Sequence, residues 1–214
     1  MAEPSLAQRY PRTLDDRMPK PARTPMDDLP IVEFADQAAW EHWLRENHDS
    51  ARGAWLKIAK KGAPAQTLNH AEALEEAICF GWIDGQRGSF DDVYFLQRFT
   101  PRGPRSKWSQ VNRAAALKLI DAKRMKPAGL REFEAARTDG RLDDAYEPQS
   151  RATVPPDFQA ALDANPAAAE FFDTLKGNNR YAFLYRLHHV KKPEARAKRI
   201  SMYLEMLLDR KTFH

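Results

Sequence analysis

Short apolar runs and one helical repeat alternate in the first part of the chain. Residues 31–34 and 55–59 are typical of strands, because both are short, rich in β-branched and aromatic residues, and bounded by polar or turn residues. Asp36 is placed to cap a helix between them. The apolar positions of that helix follow helical spacing: Ala39, Trp40, Trp43 and Leu44.

A second helix and a hairpin come next. Asn69 and Glu72 have the spacing of a capping box, which predicts a helix that ends near Gly81. Two apolar runs follow, Trp82–Arg87 and Val93–Phe99, and the five residues between them predict a hairpin loop.

From about Ser106 the pattern is helical to the end of the chain. Trp108, Val111, Ala115 and Leu119 form the apolar stripe expected for one of these helices. Pro127 opens another helix that ends before Gly140, and residues 147–156 form a linker. Four further helices are predicted near residues 157–164, 166–176, 179–190 and 193–210.

These patterns predict an α+β fold, in which a small, mostly antiparallel sheet is packed with helices and followed by a helical C-terminal subdomain. Residues 1–30 contain six prolines and no periodic apolar pattern, so we expect a disordered or loosely docked tail. We place the α+β domain at residues 31–147 and the helical subdomain at residues 156–214.

The charge is distributed unevenly along the sequence. Residues 1–100 hold 12 Lys and Arg against 16 Asp and Glu, whereas residues 101–214 hold 22 against 14. The surplus in the second half favours an anionic partner, although a solvated basic face is common. No apolar run is long enough for a membrane span, and the N-terminal residues lack the apolar core of a secretory signal. We therefore expect a cytoplasmic protein.

Metal, cofactor and nucleophile motifs are missing from the sequence. Cys79 is the only cysteine, and the six histidines form no HxxxH or HExxH pair. The adjacent His188 and His189 should point to different sides of a helix, so we do not expect them to share an ion. No phosphate-loop or nucleophile-elbow motif occurs, and we expect no cofactor and assign no catalytic residue.

The densest candidate chemistry lies between residues 82 and 113. Arginines and a lysine alternate there with aromatic residues, and guanidinium groups bind phosphates and carboxylates bidentately. Ser106 or Ser109 could cap the next helix, whose N-terminus would add partial positive charge. We predict an anion-binding corner between hairpin and helix, with these ligand-binding residues: Trp82, Asp84, Arg98, Arg102, Arg105, Lys107, Trp108 and Asn112.

A structural interpretation of the same residues stays open. Both faces of the strand at residues 93–99 are largely apolar, which favours a buried strand with core aromatics and an internally paired Arg98. Asp84 could be a buried acid or base, or it could pair with Arg98 or Arg102. A second basic cluster at residues 186–199 could contact phosphates or form a solvated helix face.

Several blocks of sequence resemble the YdeI/OmpD-associated family, also called bacteriocin-protection proteins. They are CFGWIDGQ at 79–86, DDVYFLQRFTPRGPRSKWSQVN at 91–112, RMKPAGLREFEAARTDGRLDDAY at 124–146 and NNRYAFLYRL at 178–187. The resemblance implies a role in resistance to antimicrobial peptides and an association with an outer-membrane porin. It brings no catalytic residues.

Three functional hypotheses follow. The first is a non-enzymatic stress or defence protein that binds an anionic ligand at the predicted corner. The second is a nucleic-acid-binding protein that uses the basic clusters at residues 98–113 and 186–199. The third is an enzyme with a pocket around Asp84 and Arg98, to which His70 could contribute.

Overall fold

The computed structural model describes residues 28–213, and this part of the chain has the predicted α+β fold. Its strands are β1 (Ile31–Val32), β2 (Ala54–Ala59), β3 (Trp82–Ser89) and β4 (Tyr94–Pro101). Its helices are α1 (Gln37–Asn47), α2 (His70–Cys79), α3 (Gln110–Asp121), α4 (Pro127–Thr138), α5 (Pro156–Asp163), α6 (Pro166–Thr174), α7 (Gly177–His188) and α8 (Pro193–Leu208).

The four strands form one sheet in the order β1-β2-β4-β3. β1 runs parallel to β2, with Ile31 opposite Trp55, and β2 runs antiparallel to β4, with Leu56 opposite Gln97. β3 and β4 are the predicted hairpin. The sheet is therefore mostly antiparallel, as the sequence predicted.

The density of contacts divides the chain into two compact units. Unit 1 holds the described residues up to Leu74 together with Asp84–Thr100, and unit 2 holds Glu75–Ile83 together with residues from Pro101 onward. The domain boundary predicted near residues 147–156 is a different division, and it stays a prediction. Of the predicted tail, residues 1–27 lie outside the described part.

The core of unit 1 is built on aromatic rings of α1 and the sheet. Trp40 is fully buried, with its ring centroid 5.2 Å from that of Phe34 and 5.8 Å from that of Phe99. Its indole N–H donates to the carbonyl of Ala73 at 3.0 Å, which satisfies the polar atom of a buried ring. Leu29 packs against Trp55 and Leu96, so the end of the predicted tail joins this unit.

The helices of unit 2 enclose a core of aromatic and aliphatic side chains. Phe158, Phe172, Phe183 and Tyr203 lie at its centre and pack edge to face at centroid distances of 5.0–6.0 Å. α4 approaches Cys79 so closely that a Cβ on Gly129 would lie 2.2 Å from the Cys79 carbonyl oxygen. Only glycine fits at that position. Within residues 28–213, no helix is long and apolar enough to cross a membrane.

Candidate functional site

Three of the predicted ligand-binding residues lie on the hairpin strands. Trp82 at the start of β3 is buried, with 1% of its surface exposed, so its ring packs inside the protein. In unit 1, the Asp84 carboxylate lies 3.2 Å from Nε2 of His70, the first residue of α2. Arg98 on β4 lies beside Gly85 on β3, because a Cβ added to Gly85 would be 3.9 Å from the Nη1 atom of Arg98.

The His70–Asp84 pair has the residue types of a general acid–base dyad. Its side chains are 40% and 27% exposed, so solvent reaches both. The enzyme hypothesis placed His70 near Asp84, and in the structure the two side chains are in contact. A nucleophile or substrate-binding group beside them is what an enzyme would also need.

In unit 2, the turn after β4 is organised by Arg102. Its backbone N–H donates to the Gly81 carbonyl at 2.9 Å, and its Nη1 atom donates to the Lys107 carbonyl at 3.1 Å. The guanidinium lies 3.7 Å from the centre of the Trp108 ring, a cation–π contact in which both side chains are buried. Arg102 and Trp108 therefore fix the shape of the turn from inside.

Arg141 holds the same turn from another side. Its guanidinium donates to the carboxylates of Glu132 and Asp139, each at 2.7 Å, and to the Ser106 carbonyl at 3.3 Å. Burial disfavours the charged form, but these bonds outweigh it and raise the pKa of Arg141. The Ser109 hydroxyl caps α3 by accepting a hydrogen bond from the backbone N–H of Asn112. Asn112 itself is buried.

This framework leaves two predicted cations on the surface of the turn, Arg105 and Lys107. The Lys107 ammonium lies 5.6 Å from the centre of the Tyr185 ring on α7. Burial lowers the pKa of Lys107, and the positive charge of Lys191 lowers it further against the opposite effect of Asp144. The charge of Lys107 therefore interacts with that of a second lysine.

Asp144 is the carboxylate around which these groups gather. It forms an ion pair with Lys191, and its side-chain oxygens lie 3.4 Å from Nε2 of His188 and 3.8 Å from Nδ1 of His189. Its backbone carbonyl accepts from His188 Nε2 at 3.1 Å. Burial raises the pKa of Asp144, but the hydrogen bond and charge of Lys191 outweigh this, so the pKa is lowered overall.

The two adjacent histidines do face a common point, contrary to the expectation from helical spacing. α7 ends at His188, and His189 has already left helical geometry, with ψ near 3°. Their rings lie 4.9 Å apart, and with Asp144 they offer three possible ligand atoms within 4.8 Å of one another. The lysines nearby disfavour a divalent cation, because Lys191 already neutralises the carboxylate and Lys107 adds a further positive charge.

Burial and the neighbouring cations together lower the pKa of His189. Burial lowers its pKa to about 4, helped by the positive charges of Lys107, His188 and Lys191, while Asp144 acts in the opposite direction. The side chain is only 12% exposed, and its Nε2 atom is buried without a hydrogen-bond partner. The imidazole is therefore neutral at pH 7.

Aromatic rings stand next to the cations. Tyr185 makes edge-to-face contacts with Tyr146 at 4.9 Å and with His189 at 4.7 Å, and Tyr181 lies 5.7 Å from Tyr185. The three tyrosines line a cavity of about 380 Å³, together with Gln110, His188 and Lys191. This volume lies within the range of small-molecule sites.

The second basic cluster is partly engaged inside unit 2. Arg196 donates to Asp157 and to the carbonyls of Leu187 and Val190 at 2.8 and 3.2 Å. The Arg186 guanidinium lies 4.2 Å from the centre of the Phe213 ring. With the ion pair between Lys191 and Asp144, these contacts give several cations of the second basic cluster a structural role.

The sequence did not predict a site at Asp144, Tyr146 and Tyr185, or that His188 and His189 both face Asp144. The segments DDAY and LYRLHHVKK carry them, and 44 residues separate Asp144 from His188. The density of tyrosine, histidine and lysine in the second segment was the available signal, but nothing in the spacing joined it to Asp144.

The fold and the site define an α+β protein with a cationic and aromatic cluster in its helical unit. Residues 151–210 match the family described as "Bacteriocin-protection, YdeI or OmpD-Associated". This match to the C-terminal part of the chain supports the resemblance found in the sequence.

The earlier part of the chain matches a different family. Residues 32–132 correspond to a domain of unknown function, DUF8412, and the blocks at residues 79–86 and 91–112 lie inside this second match. No curated protein and no solved structure matches the chain.

Proposed function

We propose that this protein binds a small anionic ligand in unit 2, at a cationic cluster defined here as Lys107, His188, His189 and Lys191 around Asp144. The family description supports a role in protection against bacteriocins or related stress, and by the same route an association with the porin OmpD. Anion binding would be the molecular activity behind that role.

One observation carries the proposal: two lysines and two imidazoles lie around the carboxylate of Asp144. The charges that act on His189 are those of Lys107, His188, Lys191 and Asp144. Between the two lysines and Asp144 alone, one positive charge stays uncompensated. A bound anion would relieve their mutual repulsion.

The predicted corner remains part of the proposed site, but its residues have different roles from those predicted. Lys107, with Arg105 on the same turn, supplies charge at the surface. Arg102, Trp108 and Asn112 are buried and support the turn. The buried indoles of Trp82 and Trp108 leave the stacking role to the tyrosines.

The test is a calorimetric titration of the full chain with pyrophosphate at low salt. We expect saturable binding that weakens by about 10-fold or more in the double variant Lys107→Met/Lys191→Met, because each charged hydrogen bond contributes roughly 1.5–3 kcal/mol. Lys198→Met on α8 is the matched control and should bind as the parent does. Undetectable binding by the parent chain, or equal loss in the control, would overturn the proposal.

A titration with single- and double-stranded oligonucleotides separates a small ligand from a nucleic acid. Oligonucleotide affinity should fall steeply with salt if phosphate backbones bind a broad basic surface. Affinity far above that for pyrophosphate, lost in variants of both basic clusters, would favour the nucleic-acid hypothesis. We expect no such excess, because Arg196 and Arg186 are engaged within unit 2.

A further inference from the structure

We infer that the anion carries an aromatic ring and is of the mononucleotide kind, with its phosphate at the cationic cluster and its ring against Tyr146, Tyr181 and Tyr185. This inference rests on the proposed function, because it names the class of ligand that the same site takes. Three features of unit 2 carry it: the cavity, the link between the turn and the tyrosines, and the arrangement of polar groups.

The cavity joins aromatic and cationic walls in one space. Its lining includes the three tyrosines, His188 and Lys191, and next to it the Lys107 ammonium lies 5.6 Å from the centre of the Tyr185 ring. Inorganic phosphate would use the lysines and leave the tyrosine rings unused. An aromatic phosphate uses both, because a ring stacked on tyrosine adds affinity that does not depend on charge.

The tyrosine wall is held firmly in relation to the lysine turn. The Tyr146 N–H donates to the Trp108 carbonyl at 3.0 Å, and the Tyr146 carbonyl accepts from the Gln110 N–H at 2.9 Å. These bonds place Tyr146 directly beside the segment that carries Lys107. A phosphate and a ring in one ligand would therefore meet two parts of a single preorganised frame.

Tyr181 is also fixed in place. The Tyr181 hydroxyl donates to the Glu147 carbonyl at 2.7 Å, and burial raises the pKa of that hydroxyl to about 12, so it stays protonated. The Glu147 carboxylate accepts the Thr153 N–H at 3.2 Å and also lines the cavity. A carboxylate in this position suits a ring that carries N–H donors, and it opposes a second negative charge in the same part of the cavity.

The buried tryptophans do not offer an alternative stacking surface. Trp82 and Trp108 are 1% and 2% exposed, and the Trp108 ring is already covered by the Arg102 guanidinium. Tyr146, Tyr181 and Tyr185 are each partly exposed. They line one cavity together with Lys191 and therefore offer the stacking surface for the ring.

The experiment compares adenosine monophosphate with ribose 5-phosphate by calorimetry on the full chain at one salt concentration. Both carry the same phosphate, so any difference reports the base. We expect adenosine monophosphate to bind about 10-fold tighter or more, the range that stacking of one base supplies. Tyr185→Leu should remove this difference and keep the affinity for ribose 5-phosphate, whereas Tyr185→Phe should retain it.

The outcomes separate the two levels of the account. Equal affinities for the two phosphates in the parent chain would overturn the aromatic inference and leave anion binding in place. Binding of neither, with pyrophosphate also inactive, would overturn the proposed function itself. The comparison on the parent chain decides the question even if Tyr185→Leu fails to fold.

Discussion

Histidine and aspartate meet in both units of this protein, but with different surroundings. In unit 1, His70 and Asp84 form a partly exposed pair at 3.2 Å. In unit 2, Asp144 faces two histidines and an ion-paired lysine, and a second lysine acts on the same group. The residue types are alike, and in unit 2 two lysines act on the same carboxylate as the histidines.

That difference decides what each place can do. An ion pair that is partly exposed, such as His70–Asp84, contributes little to stability. A surplus of positive groups around one carboxylate remains attractive to an anion, and partial burial strengthens the attraction. The comparison teaches that the charge balance of the surroundings, more than the presence of a His–Asp contact, identifies the candidate site.

The largest expected effect concerns the support beneath the unit 2 site. Arg141→Ala leaves Glu132, only 18% exposed, without its ion-pair partner and frees the Ser106 carbonyl. We expect a loss of about 2–4 kcal/mol in the free energy of unfolding, as for other mostly buried pairs that lose one member. Urea unfolding measures it. Arg137→Ala, which breaks the exposed pair with Glu134, should cost under about 0.5 kcal/mol.

Acid should weaken unit 2 through His189. Its pKa is lowered to about 4 in the folded protein, against about 6.5 when unfolded, so the unfolded state takes up the proton first as pH falls. The stabilisation is fully present above about pH 6.5 and is lost between there and pH 4. We expect the stability difference between the parent and His189→Gln to change by about 2–3 kcal/mol over that interval.

Urea unfolding at several pH values checks this expectation. A difference between parent and variant that stays constant from pH 7 to pH 4 would show that His189 does not titrate as its surroundings indicate.

The smallest effect sharpens the comparison of the two carboxylates. Asp144→Asn removes a negative charge that competes with a bound anion at the two lysines, so pyrophosphate affinity should rise about 3-fold, as expected for one charge several ångströms away. Asp84→Asn is the matched change in unit 1 and should leave that affinity unchanged. Calorimetry measures both. A rise in pyrophosphate affinity with Asp84→Asn and none with Asp144→Asn would place the anion in unit 1 and contradict the proposal.

Local signals in the sequence predicted the fold well where one residue controls its neighbours. The Asp36 cap is present, and Asn69 and Glu72 form the predicted capping box, with the Asn69 N–H donating to the Glu72 carboxylate at 2.8 Å. The predicted cap at Ser109 is also confirmed. Such signals are reliable because the partners lie two or three residues apart.

The apolar stripe of α3 was predicted less well. Trp108 lies before the helix, so counting from it shifted the phase, and the buried residues are Asn112, Ala116 and Leu119. Val111, expected inside, is 46% exposed. A buried asparagine cannot be recognised from an apolar pattern.

The candidate site was predicted only in part, because its members come from distant segments. Lys107 was identified from the basic run that contains it. Its relation to Asp144 and Tyr185 depends on where the turn before α3 and the end of α7 lie within unit 2, which no local pattern contains. The buried role of Arg102 was equally hidden, since an arginine stacked on tryptophan and one that faces a ligand look alike in the sequence.

The most direct test of the account follows the histidine ring signals by NMR while pyrophosphate is added at constant ionic strength, with His→Gln variants for assignment. We predict saturable shifts of the His188 and His189 signals with one common dissociation constant, and no saturable shift of His70. A saturable shift of His70 alone, or shifts in neither pair, would contradict the claim that the cation surplus around Asp144 is what binds an anion.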